Sequence, residues 1–100
     1  MVASNLNIRI GDVAAFCRKH HIRRLSFFGS VVRDDFGPDS DVDCLVEFTD
    51  GHHPGWDIMD LEEEFSQLVD GRVVQFVNPK YLNRHWKDEV LAQAELQYVE

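Results

Sequence analysis

One hundred residues of 11.6 kDa leave room for a single packed domain over 1–100, because a chain this size buries roughly two thirds of its unfolded surface. With 44% apolar and 28% charged residues, it is neither a disordered nor a fibrous chain. Ten Lys and Arg against eighteen Asp and Glu leave a net charge of −8, a field that repels phosphate backbones and anionic lipids and argues against independent nucleic-acid binding.

That field suits a basic protein partner, or a small anion held by local donors and a metal. The longest apolar run, Val13 to Cys17, has five residues, far short of the roughly 20 that span a bilayer. The opening MVASNLNIRI lacks the charged start and apolar block of a secretory signal, so the cytoplasm is the expected compartment. Cys17 and Cys44 have no CxxC spacing and read as reduced core residues.

From Asp12 to His20, Val13, Phe16 and Cys17 fall on one helical stripe, with Asp12 as a first-turn acid or cap. Arg23 to Phe28 is rich in aromatic and branched residues and stops at Gly29, as a strand entering a tight turn does. Asp41 to Phe48, DVDCLVEF, alternates with period two and predicts a second strand. Thr49 to Trp56 reads as an exposed loop. Asp57 to Asp70 sets Ile58, Leu61, Phe65 and Leu68 opposite Glu62, Glu63 and Gln67, the pattern of an amphipathic helix ended by Gly71. Arg72 to Val77 predicts a short third strand. Pro79 opens a last helix through about Tyr98, with Leu82, Trp86, Val90 and Ala94 on one side. This α-β-(short helix)-β-α-β-α order predicts an α/β (α+β) fold: a small mixed sheet of three or four strands with helices mainly on one face.

The chemistry concentrates in Phe28 to Val46, which joins a Gly-Ser turn to an Asp-x-Asp pair opening the next strand. Residues i and i+2 of a strand share a face with α-carbons about 7 Å apart, so Asp41 and Asp43 can converge on one divalent cation. Hard oxygen donors suit Mg²⁺, which takes one or two carboxylates and completes its shell with water and phosphates. Gly29 lets the backbone approach a phosphate, and amides after Ser30 favour the same anion. Asp41 alone reads equally as an Asx-turn residue. Asp43, an acid inside an apolar strand, is costly unless solvated or bound to a cation.

Other residues carry plainer readings. His52 and His53 read as solvent-exposed, Trp56 as a staple for the helix that follows, and His20-His21 with Arg23-Arg24 as cations at a helix end. The acids Asp57, Asp60 and Glu62 to Glu64 form a solvated face, or one that meets a basic partner. Arg33 has two roles open to it, triphosphate contact or a salt bridge to Asp34, Asp35 or Asp39.

Gly29-Ser30, ten residues and Asp41-Val42-Asp43 together resemble the GSx10DxD signature of the polymerase-β-like nucleotidyltransferases, in particular the minimal (MNT) forms. The likeness covers nearly the whole chain. Leu25 to Ser30 looks like the family's first strand and turn, Arg33 like its GSxxR arginine, Gly71 to Pro79 like its third strand and exit, and Tyr81 to Val99 like its terminal helix. The resemblance implies a polymerase-β-like core that transfers a nucleotidyl group from a triphosphate with Mg²⁺. Stand-alone minimal forms are often antitoxins that move AMP from ATP to a tyrosine of a HEPN-domain ribonuclease toxin. It further implies Asp41 and Asp43 as catalytic Mg²⁺ ligands, with Gly29, Ser30, Arg33 and Ser40 on the nucleotide.

Three departures bear on activity. Gln75 stands where the family carries a third carboxylate; its amide oxygen can coordinate a cation weakly but adds no charge and cannot act as a base. Asp34 replaces a usual Gly, and Gly37 a usual basic residue, which lowers the expected ATP affinity. The rival readings are an antitoxin that neutralises its toxin by binding alone and a small-molecule transferase, for which 100 residues leave no second domain to build an acceptor pocket.

Overall fold

The computed structural model describes residues 8–32, 37, 40–49, 51 and 57–100. Among them, three α-helices and four strands follow in the order α1 (Ile10–Lys19), β1 (Ile22–Phe28), β2 (Val42–Phe48), α2 (Ile58–Ser66), β3 (Val74–Val77), α3 (Arg84–Gln93) and β4 (Glu95–Val99). The strands form one mixed sheet in the order β3-β2-β1-β4. β1 runs antiparallel to β2 and to β4, while β2 and β3 are parallel. The fold is α+β, as the sequence predicts. No helix among the described residues is long and apolar enough to cross a membrane.

Period two along the strands gives the sheet a dry face beneath α1 and α2 and an opposite face that is buried at Ser26 and Leu45 and more open around them. Leu25 and Phe27 of β1 and Val42, Cys44 and Val46 of β2 are buried against Val13, Phe16 and Cys17 of α1 and Leu61 and Phe65 of α2. Phe16, Phe65 and Phe76 form an edge-on aromatic cluster, with Phe16 to Phe65 at 5.1 Å and Phe65 to Phe76 at 5.6 Å between ring centres. α2 also ties down the sheet edge, since the Phe76 N–H donates to Glu62 Oε2 at 2.7 Å. At the end of α1, His20 Nε2 meets Glu64 Oε2 at 2.8 Å and Lys19 Nζ lies 3.3 Å from the same oxygen. These contacts, led by the His20 hydrogen bond, hold the Glu64 carboxyl below its usual range. Cys17 and Cys44 are free and buried. Burial pushes the Cys17 thiol up to about 12 and the Cys44 thiol well above its usual value, so both stay protonated.

The C-terminus corrects several expectations: Pro79–Tyr81 is a 3-10 turn, the helix begins only at Arg84, and none of its residues is buried, so Leu82, Trp86, Val90 and Ala94 form no dry stripe. The final helix stops at Gln93 rather than near Tyr98, and Glu95–Val99 is a strand. Ala94 turns extended at ψ 139°, and Ser26 and Phe27 then pair with Leu96 and Glu95. Helix-prone residues yield here because the open edge of β1 offers main-chain hydrogen bonds that a local helix cannot reach. The other boundaries shift by a few residues: Asp41 stands just before β2, and Arg72 and Val73 precede β3.

Candidate active site

The sequence candidates meet where β1 ends and β2 begins. β1 runs into a 3-10 turn over Gly29–Val32, entered through Gly29 at φ +76°, a left-handed conformation that glycine adopts without strain. Antiparallel register sets Phe28 opposite Asp43, and parallel register sets Gln75 opposite Asp43 from the other side. A Cβ built on Gly29 would fall 2.6 Å from Asp43 Oδ2, so the glycine turn and this carboxylate share one small space.

Asp41 is bound into the same cluster. Ser30 Oγ donates to the Asp41 carbonyl at 3.5 Å, and Gln75 Nε2 donates to Asp41 Oδ2 at 3.5 Å. Both bonds are long, so they hold the groups near one another without locking them. Asp41 and Asp43 are half-buried, while Gln75 is exposed. Gly29, Ser30, Asp41, Asp43 and Gln75 thus gather at one corner of the sheet.

Ser40 closes a turn. Its Oγ accepts from the Gly37 N–H at 2.9 Å, and its own N–H donates to the Gly37 carbonyl at 3.1 Å. Arg33 lies outside the described residues, as do Asp34, Asp35, Asp39, His52, His53 and Trp56. From its neighbours in sequence, Arg72 reads only as the start of a strand. Its Nη1 instead donates to the Gly37 carbonyl at 2.7 Å and approaches the Ser40 carbonyl at 3.4 Å, fixing the turn that delivers Asp41. No local pattern marks this arginine, because its partners lie more than thirty positions away.

The donor set fits Mg²⁺. Two carboxylates two positions apart and an amide oxygen are hard ligands, and among the described residues no cluster of three His, Cys, Asp or Glu competes for a softer ion. Mg²⁺ tolerates so few protein ligands because water and substrate phosphates fill its remaining positions. The neighbouring Cys44 thiol, kept protonated by burial and next by the Asp43 charge, is not a ligand of this kind.

Residues 13–99 match the family described as "Nucleotidyltransferase domain". The chain belongs to the nucleotidyltransferases. Within that family it is similar to a candidate protein adenylyltransferase, MJ0435, of Methanocaldococcus jannaschii, 33% identical over 90 residues that make up 90% of this chain and 95% of that protein. A solved candidate minimal nucleotidyltransferase is 32% identical, with a TM-score of 0.70 over 86% of each chain. Two crystal structures share the nucleotidyltransferase fold at lower identity. One is a toxin-antitoxin with AMP-PNP, at TM-score 0.73 and 16% identity over 93% of this chain and 75% of that one. The other is a mutant of the toxin-antitoxin MntA-HpeT, at TM-score 0.71 and 14% identity over the same shares. The domain is therefore a minimal nucleotidyltransferase with a polymerase-β-like core.

Proposed function

We propose that this single domain is an Mg²⁺-dependent protein adenylyltransferase that moves AMP from ATP onto a tyrosine hydroxyl of a partner HEPN ribonuclease toxin, and so acts as an antitoxin. The observation that supports the reading is the packing of Asp43 against Gly29, which brings a carboxylate suited to a hard cation against the glycine turn. AMP-PNP, an ATP analogue, bound to a toxin-antitoxin of the same fold supports ATP as donor and a toxin as partner.

Asp41 and Asp43 would hold Mg²⁺, with Gln75 a weak third ligand. Gly29, Ser30 and Ser40 are assigned to the triphosphate, and Arg33 on the family resemblance alone; Ser40 Oγ accepts from Gly37 and keeps its own O–H for an anion. Mg²⁺ held by these residues would supply positive charge against that developing on the α-phosphate and pyrophosphate. The acceptor oxygen bonds to the α-phosphorus as the link to the β-phosphate breaks, and pyrophosphate leaves. The hydroxyl proton passes to solvent, since the Gln75 amide has no basic site.

One observation favours a second reading, neutralisation by binding alone. Gln75 donates to Asp41 where the family supplies a further negative charge for metal. Intact-mass spectrometry of the neighbouring open reading frame's product after incubation with ATP, Mg²⁺ and this protein separates the two. An AMP adduct lost in Asp41→Asn or Asp43→Asn, by at least about a hundredfold in rate, supports the transferase. Neutralisation that survives both changes without an adduct supports binding alone.

A further inference from the structure

The sheet face that carries Asp43 continues through Leu45 and Glu47 on β2 and through Ser26 and Arg24 on β1. α3 stands off from this face. None of its residues is buried, and Leu91 is 44% exposed, as is Leu96 of β4 to 49%. Between helix and sheet runs a groove of about 840 Å³, to which Leu91 and Leu96 contribute apolar surface, with the buried Leu45 beneath it. Its volume is that of a site for a peptide-sized ligand rather than a packing defect.

Its charge opposes that of the molecule. Arg23, Arg24, Lys80 and Lys87 line it with Glu47 as the one carboxylate, so four cations less one anion give +3 in a chain of −8. Arg23 Nη2 meets Glu47 at 3.3 Å, and Arg24, Lys80 and Lys87 have no ion-pair partner among the described residues. Leu45 lies two positions beyond Asp43 on one face, about 7 Å along the strand, so the groove begins where the acids end. The cations lie toward Thr49, at the opposite end of β2 from the Gly29 turn, away from where a triphosphate is cradled.

We propose that this groove docks an acidic segment of the acceptor protein and leads its hydroxyl toward Asp43, an inference that rests on the acceptor being a protein. A short acidic segment fits inside a local basic channel. A nucleic acid would have to cross the strongly acidic surface beyond it.

The probe is a fluorescein-labelled random copolymer of glutamate and tyrosine, added to the full chain and followed by anisotropy, with AMP transfer from ATP and Mg²⁺ read in parallel. The copolymer is expected to bind the wild type, to weaken with salt, and to bind Lys80→Glu/Lys87→Glu about tenfold less well at an unchanged melting temperature. If that variant melts early, Arg24→Glu replaces it. Binding lost in the variant with no AMP on the copolymer from either protein keeps the groove and removes the transferase reading. Equal AMP transfer by wild type and variant keeps the transferase and overturns the groove. The proposal also falls if the wild type ignores the copolymer, if single-stranded polyuridylate displaces it and binds more tightly, or if the variant changes only the KM for ATP.

Discussion

The two faces of this sheet are built from the same strands and do opposite work. On one, Val42, Cys44 and Val46 are sealed beneath α1 and α2. On the other, one residue out of step, Asp43, Leu45 and Glu47 border an acidic corner and a basic groove that α3 leaves open. The first face holds the core, and the proposed chemistry belongs to the second. Substitutions should separate accordingly.

The largest expected effect is on the dry face. Phe65→Ala removes the ring that Phe16, Phe27 and Phe76 surround and should cost about 3–5 kcal/mol in urea unfolding. A loss below 1 kcal/mol, on the order of a surface change, would erase the division between faces. Next comes Gly29→Ala. It strains a left-handed residue by about 1–2 kcal/mol and pushes the Asp43 carboxylate aside, so AMP transfer should fall at least about tenfold while the fold persists. Full activity at unchanged stability would disconnect the turn from the acid.

Gln75→Asp sharpens the comparison from the other direction. It should raise the Mg²⁺-dependent rate about tenfold or more, and lower the melting temperature slightly in EDTA, where a new charge faces Asp41 and Asp43 unscreened. A Mg²⁺ titration and melts with and without metal check both. The smallest effect is Glu64→Gln, under about 1 kcal/mol at neutral pH because the Glu64 and Lys19 side chains are exposed and the amide can keep a hydrogen bond to His20. A carboxyl held below its usual 4.5 stabilises the fold above that pH and loses this contribution as pH falls through the lowered value. Wild type and variant should therefore converge in acid, measured by unfolding from pH 7 to pH 3.

Much of the site was legible because its signals are local. A glycine at the end of an apolar strand and two aspartates at spacing two announce a turn and a shared face without any knowledge of what lies across the sheet. What stayed hidden needed partners far along the chain. Arg72 is an ordinary arginine until its guanidinium is found on the Gly37 carbonyl, and Lys80 and Lys87 are ordinary lysines until β1 brings Arg23 and Arg24 beside them. Glu95 to Val99 misled for the same reason: its residues suit a helix, and only the unpaired edge of β1 makes a strand the better state.

The order of elements up to β3, the dry stripes of α1 and α2 and the shared face expected of Asp41 and Asp43 came from periodicity, which depends on backbone geometry common to all chains. The strand order β3-β2-β1-β4, the strand at Glu95–Val99, the clamp on the Gly37–Ser40 turn and the basic groove were decided by tertiary structure. Each joins residues through hydrogen bonds and charge across distances that no window of neighbouring residues contains.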